Sequence, residues 1–251
     1  MRLLLINANT STAMTDRVVA AARGLAAPDT EVAGVTGRFG AAVIATRSAY
    51  AVAGHAALDC YAEHGAGFDA VVLACFGDPG LLALKELAAV PVVGMAEAGC
   101  HFAAQLAPRF GIVTGGERWR PMLTEYVDSL GLGDRLSGVR TLRADGGQIA
   151  ADPAAAEQAV QEAARLCIEE DGAGLVILGG AGMVGMVERV APHLPVPVID
   201  GLTPAVKWAE AAVLSGARKA ETGALAFPGP LASTGLSPAL AALLAQRGIV
   251  S

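Results

Sequence analysis

Charge is scarce in this chain of 251 residues: Asp, Glu, Lys and Arg make up only 17% of it, against 53% hydrophobic residues. That balance suits well-buried sheets, and it implies a fold that hides much of its surface or associates into a homo-oligomer. The formal charge is -6 and no basic cluster occurs anywhere, which argues against a nucleic-acid partner. No stretch of about 18 apolar residues is free of charge, so no membrane span is expected. The opening MRLLLINANTS is too short an apolar run for a signal peptide and ends in Asn7 and Asn9. A soluble, cytoplasmic protein is the expectation. Cysteine is also sparse. Cys60, Cys75, Cys100 and Cys167 show no CxxC spacing, which argues against a disulfide framework or a zinc site. The four histidines do not group, and no metal-ligand spacing is present.

What the chain does have is alternation. Apolar runs at 3–6, 31–35, 70–74 and 90–95 read as strands, and 11–25, 48–63 and 81–87 as helices between them. The second half repeats the rhythm. Strands are predicted at 110–113, 136–142, 175–178 and 196–199, with helices at 119–130, 153–169 (opened by Asp152) and about 183–190. A βαβα pattern of this kind predicts an α/β fold of parallel sheets covered by helices on both faces.

The two halves also match residue by residue. AVVLACFGDPGLLALKELAAVPVVG from Ala70 lies over LVILGGAGMVGMVERVAPHLPVPVID from Leu175, which sets Cys75 opposite Gly180. LLLINANTS likewise lies over FGIVTGGER. Two such lobes would be related by a pseudo-two-fold axis. Ligands of parallel sheets bind beyond the carboxyl ends of the strands, so the tips at 7–10, 75–78, 114–116 and 179–182 would share one cleft. Their backbone N–H groups suit a carboxylate or imide oxygen. The expected lobes are 1–98 with the C-terminal helices of 204–251 packed back on them, and 99–203.

Cys75 is the candidate reactive group. It stands between a buried strand and a Gly-Asp-Pro-Gly turn that leads into a helix. A thiol at a helix N-terminus has a lowered pKa, which would ready it as a base or nucleophile. The competing reading is a small buried hydrophobe, which free cysteine commonly is. Cys60, Cys100 and Cys167 read as packing residues. GGAGMVG lacks the lysine of a phosphate loop and the context of a dinucleotide fingerprint.

N-A-N-T-S at the first strand end, A-C-F-G-D-P-G-L at the third, P-V-V-G-M-A-E-A after the fourth and L-G-G-A-G-M in the second half carry a family resemblance. The chain resembles the hydantoin and allantoin racemase branch of the aspartate/glutamate racemase superfamily over nearly its whole length. The resemblance implies two Rossmann-like lobes, no cofactor, and two cysteines on opposite faces of a planar carbanion. One thiolate would remove the α-proton of a small hydantoin-like substrate, and the other thiol would return one. Cys75 matches the first cysteine. Where the family pattern has L-G-C-A-G-M, this chain has Gly180. The expected substrate contacts are Asn9, Thr10, Phe76, Gly77, Thr114, Ala181 and Gly182. Glu97 and Asp200 end matching strands and are further candidates. Arylmalonate decarboxylases also use one cysteine, on the other lobe, but Phe76 and Gly77 replace their hydroxyls here. A non-catalytic binder of small molecules is a third reading.

Overall fold

The computed structural model describes residues 1–246. The first half runs β1 (Arg2–Asn7), α1 (Thr12–Leu25), β2 (Glu31–Thr36), α2 (Arg47–His64), β3 (Ala70–Leu73), α3 (Leu81–Leu87), β4 (Val92–Gly94) and α4 (Met95–Leu106). The second half runs β5 (Phe110–Gly115), α5 (Trp119–Ser129), β6 (Leu136–Leu142), α6 (Gly146–Ala151), α7 (Pro153–Glu169), β7 (Val176–Gly179), α8 (Val187–Val190) and β8 (Val198–Asp200). Helices α9 (Leu202–Leu214) and α10 (Pro238–Leu244) follow.

The strands form two four-stranded sheets, ordered β2-β1-β3-β4 and β6-β5-β7-β8, with every pairing parallel. The orders are equivalent, and so is the register at the centre. The Val71 amide donates to the Pro91 carbonyl at 2.9 Å, and the Val176 amide to Pro197 at 3.0 Å. This is the duplicated α/β architecture that the repeat predicts. The central strands β1, β3, β5 and β7 are buried almost end to end because helices cover both faces.

Local signals set the helix starts. Ser11 accepts from the Met14 amide at 3.3 Å, Thr46 from Ala49 at 3.1 Å, and Asp152 from Ala155 at 3.0 Å with Pro153 in the first turn. Helix α9 leaves the second sheet and packs against α1, α4, β3 and β4, while α10 packs on α2. One hydrophobic core therefore runs from Leu3–Ile6 through Leu73 and Leu84 to Ile112 and Ile177. A second, smaller core lies under α7 around Val113, Val160 and Leu178. Among the described residues, no helix is long and apolar enough to cross a membrane.

Candidate active site

The carboxyl ends of the two sheets face each other across one cleft of about 60 Å³. The first half contributes Asn9 after β1, the loop of residues 42–45 after β2, and Ala74-Cys75-Phe76 after β3. The second half contributes the equivalent places: Thr114 and Gly115 at the end of β5, residues 145–147 after β6, and residues 179–183 after β7. Met14 and Trp119 complete the walls.

Cys75 is partly exposed, and its opening is onto this cleft. The turn that follows is closed by a bond of 2.9 Å from the Asp78 amide to the Cys75 carbonyl. Helix α3 begins only at Leu81, after Gly80 in the left-handed region at φ 79°. The expectation of a lowered pKa is corrected: burial, and secondarily the Asp78 carboxylate, push the Cys75 thiol up to about 12. At neutral pH it rests as a neutral thiol.

Asp78 is 1% exposed. Its carboxylate accepts from the Ala96 amide (3.1 Å), the Glu97 amide (2.7 Å) and the Tyr126 hydroxyl (2.6 Å). Burial pushes its pKa up to about 7, against the lowering effect of those three donors. Tyr126 belongs to α5, so this is a bond between the two halves.

Gly180 holds the equivalent turn in the second half, closed by a bond of 2.9 Å from the Met183 amide to the Gly180 carbonyl. Its φ of 117° is a conformation that side-chain-bearing residues rarely adopt. Space is not the limit there. A Cβ on Gly180 would have Thr114 Oγ1 as its nearest neighbour, in ordinary contact at 3.6 Å.

The remaining predicted contacts divide. Asn9, Phe76, Thr114, Ala181 and Gly182 line the cleft with Cys75 and Gly180; Thr10 and Gly77 do not. The Thr10 amide donates to the Ala41 carbonyl at 3.2 Å and so supports the 42–45 loop from behind. Gly77 lies under the Trp119 ring, which leaves no room for a Cβ, and its carbonyl accepts from the Tyr50 hydroxyl at 2.6 Å. Asn9 Oδ1 already accepts from Asn7 Nδ2 and the Ser11 amide, both at 2.8 Å. Phe76 reaches across to the second sheet, and its ring fills the space that side chains on Gly179 and Gly201 would need. Glu97 and Asp200 stay out of the cleft. Glu97 pairs with Lys85 at 2.6 Å, and Asp200 caps α9 by accepting from the Thr203 amide at 2.8 Å.

Cys60, Cys100 and Cys167 are buried, and desolvation raises all three thiols. His55, His64 and His193 are exposed. Among the described residues, no group of three or more His, Cys, Asp or Glu side chains could hold a metal ion. Four features escaped the sequence: the 42–45 loop, the 145–147 segment, Trp119 as a wall, and the Asp78–Tyr126 link. The apolar run AVIA in a connecting loop was a signal for the first. Trp119 Nε1 donates to the Ile44 carbonyl at 3.1 Å, which pins that loop from the second half.

The family model described as Asp/Glu/Hydantoin racemase matches residues 3–209. A hydantoin racemase of Pseudomonas sp. (strain NS671) is 35% identical over 229 residues, covering 91% of this chain and 92% of that protein. A hydantoin racemase of Paenarthrobacter aurescens is 38% identical over 218 residues, with 86% and 92% covered. The crystal structure of an allantoin racemase from Pseudomonas fluorescens superposes with a TM-score of 0.90 at 34% identity, covering 94% of this chain and 100% of that one. With its two equivalent sheets and the cleft between their strand ends, the chain belongs to the Asp/Glu/hydantoin racemase family and is an enzyme of the racemase class.

Proposed function

We propose that the protein moves a proton at an acidic carbon next to a carbonyl in a small hydantoin-like ring, without a cofactor, and that Cys75 is the group that handles the proton. The observation that carries this reading is the placement of one partly exposed thiol at the tip of β3, opening onto a cleft of about 60 Å³. The family's relatives named for hydantoin and allantoin support the choice of ring.

The chemistry follows from the surroundings. A desolvated thiol is a weak acid, so its thiolate is a strong base, matched to a weakly acidic C–H. Asn9 has its Oδ1 engaged, so its amide nitrogen is the donor it can offer a ring oxygen. The backbone amides of residues 180–182 are further donors for negative charge developing on the carbonyl oxygen. Opposite Cys75, Gly180 offers no acid or base. Thr114 Oγ1 borders the space that a side chain there would fill. A water in that space would deliver the second proton, less effectively than a positioned thiol.

The domain reading accompanies this one: lobes of residues 1–98 with the C-terminal helices of 204–251, and 99–203, hold the substrate between them in a cytoplasmic homo-oligomer. The functional test is incubation of each pure enantiomer of 5-methylhydantoin in deuterated water. Deuterium at the ring carbon with unchanged substrate skeleton supports an isomerase. Release of carbon dioxide from an arylmalonate with no exchange from the hydantoin would favour a one-thiol decarboxylase. Tight binding with neither reaction would leave a non-catalytic binder.

A further inference from the structure

We propose that Asp78 is the positioning residue of Cys75: it fixes the turn that carries the thiol and, through Tyr126, ties that turn to the second sheet. The inference rests on Cys75 being the reacting thiol and adds the machinery that holds it.

The placement is built rather than incidental. Asp78 is the one non-glycine residue with a positive φ among the described residues, at 52°. Such a conformation is uncommon for a residue with a Cβ and persists where the surroundings impose it. Here it turns the carboxylate onto the first turn of α4, over Gly94, where any Cβ would collide with it. Helix α4 has no cap of its own at Gly94, so Asp78 supplies one from across the sheet. The same carboxylate accepts from Tyr126 of α5. Two helices therefore meet on one side chain, and the backbone amide of the same residue donates to the Cys75 carbonyl.

The equivalent turn in the second half shows that the carboxylate is not a requirement of the fold. Met183 stands where Asp78 does and makes the same backbone bond, to Gly180, without a charge. The acid is present only in the half that carries the thiol. α9, the helix equivalent to α4, is capped instead by its own Asp200.

The charged and titratable groups that face Asp78 are few. Tyr126 comes from α5 and Tyr50 from α2, and Cys75 sits in its own turn. Glu97 and Cys100 come from α4, with Glu97 paired to Lys85 of α3. The three donors to the carboxylate are neutral. Its charge thus acts on Cys75 without a cation between, and adds to the burial that keeps the thiol protonated.

Two variants of the full chain test this. Asp78→Asn keeps an acceptor oxygen and removes the charge. The thiols are alkylated with iodoacetamide at a fixed pH of about 8, each cysteine being read by peptide mass. Removing the charge lowers the Cys75 pKa and raises its thiolate supply, so Cys75 should react measurably faster while Cys60, Cys100 and Cys167 stay silent. If Asp78 only caps α4, its removal loosens that helix and Cys100 reacts in step with Cys75, or neither changes; either result overturns the proposal. Tyr126→Phe keeps the charge and cuts the tie. Exchange of 5-methylhydantoin should then fall at least about tenfold in kcat with KM unchanged, since small misplacements of a reacting group are that costly. An unchanged kcat overturns the proposal, and this arm decides if Asp78→Asn does not fold. Alkylation is blind to catalysis. A wild-type protein without exchange would sink the reading of Cys75 as reacting thiol, while selective acceleration in Asp78→Asn would still establish the placement.

Discussion

Placing a thiol at Gly180 sets two effects against each other, backbone strain and a gained proton carrier. Gly180 has a φ of 117°, where a residue with a Cβ is strained by about 1–3 kcal/mol. No clash adds to this, because Thr114 Oγ1 would lie at an ordinary 3.6 Å. Gly180→Ala and Gly180→Cys should therefore lose the same 1–3 kcal/mol in urea unfolding. On the catalytic side, a positioned acid or base contributes about 10²–10⁴-fold. Gly180→Cys, in its folded fraction, should exchange the slow enantiomer faster by an amount within that range. Gly180→Ala should not. Stability and exchange are measured on the same samples, so loss of fold cannot be mistaken for loss of chemistry. The reasoning is refuted if both variants are as stable as wild type, for then the backbone is not held at that φ. It is equally refuted if a well-folded Gly180→Cys protein leaves the slow enantiomer no faster.

Three other outcomes are expected. Asp78 has a folded pKa of about 7 against an ordinary 3.8, so the folded protein holds its proton more tightly than the unfolded chain. Its contribution to stability is complete below pH 4 and is lost as pH rises from 4 to 7, about 4 kcal/mol in all by linkage. The stability difference between wild type and Asp78→Asn should drift by that order in favour of the variant over this window, and a constant difference would contradict the burial of the charge. Phe76→Ala empties the space over Gly179 and Gly201 and should cost about 3–5 kcal/mol in denaturant unfolding. With its thiol at about 12, wild-type exchange should rise close to tenfold per pH unit between about pH 7.5 and 9, and a plateau there would mean a more acidic base.

Most of the fold was legible because strong local signals and the global fold agree. The apolar runs at β1, β3, β5 and β7 and the proline-led edge strands have no other reading in a βαβα chain, and the repeat fixed the equivalence of Cys75 and Gly180. Helix α4 was not read. It follows β4 with no intervening turn and has no capping side chain at Gly94, because its cap is Asp78, distant in sequence. Helix α6 begins with two glycines and was missed for lack of propensity. Within the site, the strand tips were legible because parallel sheets bind ligands there. Trp119, Ile44 and Tyr126 were not, since their roles depend on packing between halves. The error on the Cys75 pKa had a physical cause as well. A lowering by the helix terminus was expected, and desolvation of the strand tip, which raises the thiol, was left out.

The most direct measurement of the central claim is deuterium incorporation at the ring carbon of each 5-methylhydantoin enantiomer, followed by proton NMR for wild type and for Cys75→Ala. One thiol facing one side of the cleft predicts fast exchange of one enantiomer, exchange of the other slower by about 10²–10⁴-fold, and abolition of the fast process in Cys75→Ala. Equal, rapid exchange of both enantiomers by the wild type, or exchange that survives in Cys75→Ala, would contradict it.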